Sequence, residues 1–188
     1  MSAVAALSVV AGLYWFQPWR LVTDREVRDA LPPPAAVAAT GPPATPGAAA
    51  PGTTRRPAAA PTTGTARDPE AVEHVAAGMF VSHEHDTRGS AELVRGADGG
   101  HRLLLRGLAT SDGPDLRVWL TDRAVLAGRD GWRVFDDGRW VELDRLKGNR
   151  GDQVYDIADK VDIAGLRSVT IWCKRFAVSF GAAPLDPR

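Results

Sequence analysis

The sequence predicts an all-β domain, an antiparallel β-sandwich of about eight short strands, over residues 70–188. Two observations favour this fold class. Short apolar runs recur between turn signals rich in Gly and Asp, and no long helical period separates these runs. The formal net charge is +0, from 23 basic and 23 acidic side chains, so no charge field attracts nucleic acid. We therefore expect no nucleic-acid partner.

The first element is a predicted membrane span at residues 2–19. This stretch has no charged side chain and ends in the aromatic run Tyr14-Trp15-Phe16-Gln17-Pro18-Trp19, which is typical of a membrane interface. As a helix it would rise about 27 Å, close to the hydrocarbon thickness of a bilayer. A cleaved signal peptide is the alternative, but no small-x-small site follows the apolar run. We predict a single-pass anchor over residues 1–19, with the folded domain outside the cytoplasm.

Residues 20–69 are predicted to be a juxtamembrane segment followed by a disordered linker. Residues 20–30 mix six charges of both signs, as an exposed segment leaving the bilayer would. Residues 31–69 hold ten of the fourteen prolines, and Ala, Thr, Gly and Pro make up nearly all of this stretch. Such a composition buries too little apolar surface to offset chain entropy. We expect a linker that lets the domain search the space above the membrane.

The folded part follows from Glu70. Residues 70–77 are predicted to form one short helical turn after Pro69. The candidate strands are residues 79–83, 90–95, 102–108, 116–121, 140–143, 153–157, 169–173 and 176–180. Between them, Ala97-Asp98-Gly99-Gly100 is typical of a hairpin connection, and Ser111-Asp112-Gly113-Pro114 is typical of a sharp reversal.

Cys173 is the only cysteine in the chain, which excludes an internal disulfide and a CxxCH haem attachment. In the predicted strand, Cys173 lies on the face of Val169 and Ile171, whereas Trp172 and Lys174 lie on the opposite face. The apolar parity changes afterwards, which predicts a bulge or tight bend at Lys174-Arg175. Two adjacent cations would lower the thiol pKa and favour a reactive thiolate. The alternative is a buried cysteine that only packs.

Two other groups of side chains are candidate ligand sites. His83 and His85 are two residues apart, so they would share one side of a strand as a pair of nitrogen ligands. We expect instead two exposed polar residues at a strand end, and no metal site. Oxygen-bearing side chains in the loops allow a calcium site, but Asx-turns explain them better: Asp112, Asp115, Asp122, Asp144, Asn149 and Asp152.

Four segments of the predicted domain are distinctive in their order and spacing: FVSHEHDTRGSAEL at 80–93, DGPDLRVWLT at 112–121, LKGNRGDQVYDI at 146–157 and VTIWCKRFAVSFGAA at 169–183. Together they resemble the DM13 domain family, which is described as an electron-transfer family. The sequence departs from the family pattern at Asp144, Val154 and Ala158, in a connecting loop. The resemblance implies a β-sandwich with an exposed or semi-exposed cysteine, here Cys173. It also implies redox chemistry at this cysteine, as a bare thiol or by holding a prosthetic group such as haem.

The predicted function is that of a bacterial, membrane-tethered redox or electron-transfer accessory. Cys173 would be the redox thiol or the ligand of a prosthetic group, surrounded by Trp172, Lys174 and Arg175. Its partners would be the membrane, through the N-terminal helix, and a redox partner protein. The alternatives are a non-catalytic cell-surface binding or adhesion module with a structural cysteine, and a calcium- or sugar-binding module. The sequence has no nucleophile elbow, phosphate loop or dinucleotide fingerprint, so an ordinary enzyme is not favoured.

Overall fold

The computed structural model describes residue 7 and residues 12–14, 23–33 and 72–188. Most of the predicted span at residues 2–19, and the predicted linker from residue 34 onward, lie outside these parts of the chain. Within the described parts, no helix combines the length and the apolar character that crossing a membrane requires.

Residues 7 and 12–14 are helical, and residues 23–33 and 72–188 form eleven strands and one short 3-10 helix, Gly128–Gly131. The strands are β1 (Glu26–Arg28), β2 (Glu73–Met79), β3 (Val81–Ser82), β4 (Arg88–Arg95), β5 (His101–Ala109), β6 (Leu116–Thr121), β7 (Trp140–Arg145), β8 (Arg150–Ile157), β9 (Ser168–Cys173), β10 (Val178–Pro184) and β11 (Asp186–Pro187). The prediction of an all-β domain built from short antiparallel strands is confirmed.

The strands belong to two sheets. The first sheet has the order β1-β8-β5-β4-β2-β11, and the second has the order β3-β10-β9-β6-β7. β1 pairs with β8 in parallel, and the other pairings in the described residues are antiparallel. Leu103 and Leu105 of the first sheet share one buried cluster with Val118 and Ile171 of the second. The two sheets therefore pack their apolar faces into one core, as the layers of a β-sandwich do.

The helical turn predicted at residues 70–77 is wrong for the residues that the structure describes. Residues 73–79 form β2, which pairs with β4, and Ala76 lies opposite Leu93. Ala76 and Ala77 are 6% and 7% exposed. Pairing with a neighbouring strand satisfies the backbone and buries these small side chains, and this tertiary gain overrides the local preference for helix.

The bend predicted at Lys174-Arg175 is confirmed, and it is the turn of a hairpin. β9 ends at Cys173 and β10 begins at Val178, directly opposite it. Residues 174–177 form the connection, with Ala177 in the left-handed region at φ 49°. The strand predicted at residues 176–180 is therefore displaced, and its first two residues belong to the turn.

The segment before the linker is part of the first sheet. Glu26 lies opposite Arg150, and Val27 lies opposite Gly151, at the edge next to β8. The side chains of Glu26 and Arg28 are exposed, as predicted, but the backbone between them is a paired strand. The predicted linker, residues 31–69, therefore lies in the chain between two strands of the same sheet, β1 and β2.

Candidate functional site

Cys173 is the last residue of β9 and lies at one end of the two sheets. Its cross-strand partners are Leu116 of β6 and Val178 of β10. All three side chains belong to the core between the sheets, and Cys173 is 0% exposed. The expected placement of Cys173 on the core face is confirmed. The exposed or semi-exposed position that the family resemblance implied is not what the structure shows.

The surroundings of Cys173 act on its thiol in opposing ways. Burial raises the pKa of the thiol and is the largest cause of the shift. Hydrogen bonding with the backbone at Phe176 and Arg175, in the hairpin turn, and at Asp115, in the loop before β6, lowers the pKa, whereas the charge of Asp115 raises it. The resting thiol is therefore protonated at neutral pH.

The predicted lowering of the thiol pKa by two cations is wrong. Lys174 points along the outer face of the sheet, where its Nζ lies 3.2 Å from Oε2 of Glu142. Arg175 acts on the thiol through backbone hydrogen bonding, and its charge is not a cause of the pKa shift. Desolvation of the buried sulfur is the largest cause and outweighs the hydrogen bonds.

Trp172 lies on the other face of β9 from the thiol, as the strand parity predicted. It belongs to an aromatic cluster on the outside of the second sheet, separate from the core that holds Cys173. Trp119 stacks on Trp140 with ring centroids 4.0 Å apart, and on Trp172 at 5.1 Å. Phe135 then meets Trp172 edge-on at 6.4 Å. The stack runs from the exposed ring of Trp140 to the buried ring of Trp172, adjacent in sequence to the cysteine.

A polar cavity of about 260 Å³ lies at the same end of the sheets as Cys173. Asp112, Asp115 and Lys147 are among its lining residues. Asp115 lies between the cavity and Cys173, because its carbonyl oxygen accepts from the N–H of Lys174 at 3.0 Å and its carboxylate pairs with Nε of Arg117 at 2.8 Å. The sequence favoured a turn residue over a calcium ligand at Asp115, and nothing in the local pattern brings it next to residue 173.

The residues around Cys173 do not fit a haem bound through this sulfur. The side chain has no exposed surface on which an iron could approach, and both of its neighbouring strands pack directly against it. A second cavity of about 360 Å³ lies elsewhere, against Leu104 and Val154, and neither cavity has Cys173 in its lining. We therefore derive no chemistry through haem.

The histidine pair does not form a ligand site. His83 is buried, against the expectation of an exposed residue, and its Nδ1 lies 2.7 Å from Oγ of Ser179 while its Nε2 lies 3.0 Å from the carbonyl oxygen of Leu126. The carbonyl can only accept, so Nε2 carries the proton and Ser179 donates to Nδ1. His85 instead packs on the ring of Phe180 at 3.9 Å. In the described residues, no three His, Cys, Asp or Glu side chains gather as metal ligands would.

The sequence model of the family described as "Electron transfer DM13" matches residues 79–185. No curated protein and no solved structure matches the chain. The matched region begins at the last residue of β2, continues past β10 and includes Cys173, the Asp115 loop and the hairpin turn. It covers more than half of the 188 residues. The chain therefore belongs to the DM13 electron-transfer family.

Proposed function

We propose that this protein is a membrane-tethered, extracytoplasmic electron-transfer accessory whose redox group is the thiol of Cys173. The observation that carries the proposal is the match to the electron-transfer DM13 family over residues 79–185, a region that contains Cys173, the one thiol of the chain. Burial raises the pKa of this thiol, and hydrogen bonding with the backbone at Phe176, Arg175 and Asp115 acts against that effect. Hydrogen bonds near a sulfur tune its redox properties.

The closed environment of the thiol defines how it would work. Burial keeps the thiol protonated, so loss of one electron is accompanied by loss of one proton. A one-electron oxidant on the redox partner takes the electron, one proton is released, and the sulfur becomes a neutral thiyl radical. A one-electron donor and one proton then restore the thiol. Covering the sulfur also protects it from stable adducts and from oxidation to sulfenic and higher acids. The site is therefore suited to electron exchange with a partner rather than to nucleophilic attack.

A second candidate is a non-catalytic binding or adhesion module in which Cys173 only packs. The observation that favours it is the 0% exposure of this side chain, within a core cluster that includes Ile171 and Val178. Free cysteine is among the most frequently buried residue types. The two candidates differ in what happens when the sulfur is removed.

Protein-film voltammetry on the full-length protein in lipid bilayers tests the proposal. We expect a wave in the wild-type protein that shifts by about 59 mV per pH unit, because one proton accompanies one electron. The wave should be lost in Cys173→Ser, which removes the sulfur while keeping a side chain of similar size.

Val178→Ala is the matched control, because Val178 is the buried cross-strand neighbour of Cys173 and the variant loosens the same core. It should retain the wave. A wave that persists in Cys173→Ser would place the redox group elsewhere. The absence of a wave in the wild-type protein, with both variants folded, would favour the binding module.

A further inference from the structure

We propose that the end of the domain that carries Cys173 faces the bilayer and is the surface that contacts the lipid headgroups. This Cys173 end consists of residues 112–116, 144–149 and 174–177, the three connections that meet there. The inference rests on the membrane anchor in the proposed function, and it adds the orientation in which that anchor holds the domain.

The chain enters the folded domain at the Cys173 end. Oδ1 of Asn149 accepts a hydrogen bond of 2.6 Å from the backbone N–H of Arg25. The N–H of Arg150 donates to the carbonyl oxygen of Arg25 at 3.2 Å. Because β1 runs parallel to β8, residues 23–25 lie beside the loop that precedes β8, and the chain moves away from this loop as β1 proceeds.

Backbone hydrogen bonds connect this entry point to the thiol. Leu146, in the same loop as Asn149, donates its N–H to the carbonyl oxygen of Leu116 at 3.0 Å. Leu116 is the direct cross-strand partner of Cys173, and Lys174 donates its N–H to the carbonyl oxygen of Asp115 at 3.0 Å. The entry point and the thiol are therefore at the same end of the two sheets.

Chain length then limits the position of this end relative to the membrane. Thr23 is four residues beyond Trp19, where the predicted span ends, so these two residues are at most about 14 Å apart whatever path the chain takes. The opposite end of β8, at Ile157, is about 23 Å farther along the strand. With so short a connection, the Cys173 end is held at headgroup level and the opposite end projects away from the bilayer.

Exposed side chains at this end suit a lipid interface. Phe176 is 39% exposed at the hairpin turn, and the side chains of Arg145 and Lys174 are 67% and 43% exposed. Trp140, also 39% exposed, lies at the opposite end, where it pairs with Thr121. Apolar exposure alone therefore does not distinguish the two ends, and the entry of the chain is the deciding observation.

Two matched positions allow this orientation to be measured. Asp144 and Asp159 are both exposed aspartates, and Asp144 belongs to the Cys173 end whereas Asp159 follows β8 at the far end. The full-length protein carrying Asp144→Cys or Asp159→Cys is labelled with bimane and reconstituted into vesicles that contain lipids spin-labelled at the headgroup. Each label is measured in a Cys173→Ser background and again with Cys173 retained, since the buried native thiol is not expected to label.

We expect at least about twofold stronger quenching at residue 144 than at residue 159. Equal quenching, or stronger quenching at residue 159, would overturn the proposed orientation while leaving the anchor intact. Flotation of the same samples with their vesicles tests the membrane anchor separately from the orientation of the domain. Protein that does not float with the vesicles would overturn both the anchor and the orientation. Agreement between the two backgrounds shows that the result does not depend on the Cys173→Ser substitution.

Discussion

The side-chain amide of Asn149 donates a hydrogen bond of 2.8 Å to the carboxylate of Asp24, 125 residues earlier in the chain. The same amide donates to the carbonyl oxygen of Thr110 at 2.9 Å, while its oxygen accepts from the N–H of Arg25. Asn149 is 1% exposed. One buried side chain thus joins the N-terminal segment, the residue after β5 and the loop before β8.

Asn149→Ala is expected to destabilise the domain by about 2–3 kcal/mol, because it leaves buried donors and acceptors without partners. Urea unfolding followed by fluorescence measures the change. Asp24→Ala is the control: it removes one of the same hydrogen bonds, but from an exposed side chain, and should cost less stability than Asn149→Ala. Equal losses in the two variants would contradict a central role for Asn149.

Gly151→Ala is expected to detach β1 from the sheet. Gly151 has φ +96°, and a Cβ there would collide with the backbone carbonyl of Val27. Hydrogen exchange at the β1 amides should accelerate, and stability should fall by more than about 1 kcal/mol. Gly99→Ala is the control that separates the strain of a positive φ from the collision with Val27, because Gly99 has φ +82° but open space around it. If both variants release β1 to the same extent, contact with Val27 is not what requires glycine.

The native thiol should resist alkylation. Burial raises the pKa of Cys173, so the folded state keeps the proton at a pH where the unfolded chain has begun to lose it. We expect reaction with iodoacetamide at pH 8.5 to be at least about 100-fold slower in the native protein than in urea. Comparable rates would show that the sulfur is accessible in the native state.

The raised pKa of Cys173 predicts that the domain loses stability at alkaline pH. The stabilisation is fully present below the pKa that this thiol has in the unfolded chain, and it is lost as pH rises above that value. The melting temperature of the wild-type protein should therefore fall more between pH 8 and pH 10 than that of Cys173→Ser. Burial also raises the pKa of Tyr155, which is present in both proteins, so only the difference between them reports on Cys173.

His83 should make the domain sensitive to mild acid. Burial lowers its pKa, so the folded state binds this proton less readily than the unfolded chain, and stability is lost as pH falls below about 6.5. The drop in melting temperature between pH 7 and pH 5 should be smaller in His83→Gln than in the wild-type protein. Burial also lowers the pKa of His85, which accounts for part of the drop that remains. An identical drop in both proteins would exclude His83 as its source.

Several features of the fold were predicted correctly because their signals are local. Strands β6 and β9 were predicted from the periodicity of their side chains. The turn at residues 97–100 was predicted from its Gly and Asp residues. The pairing of β1 with β8 was not predicted, since three residues before a Pro-rich stretch carry no pattern of their own. Their partner is more than 120 residues away, and only the assembled sheet supplies it.

The sequence by itself determined that this protein has an all-β domain of the DM13 family, and that its single cysteine lies on the apolar face of a strand. Periodicity and motif order contain that information. The tertiary structure decided the state of the Cys173 thiol, because it is buried between β6, β10 and the loops beside them, which meet only in the folded sheets. Burial of the thiol depends on all of these neighbours together, and it raises the thiol pKa. The two cations next to Cys173 in sequence predicted a lowered pKa because this burial is not visible in the sequence.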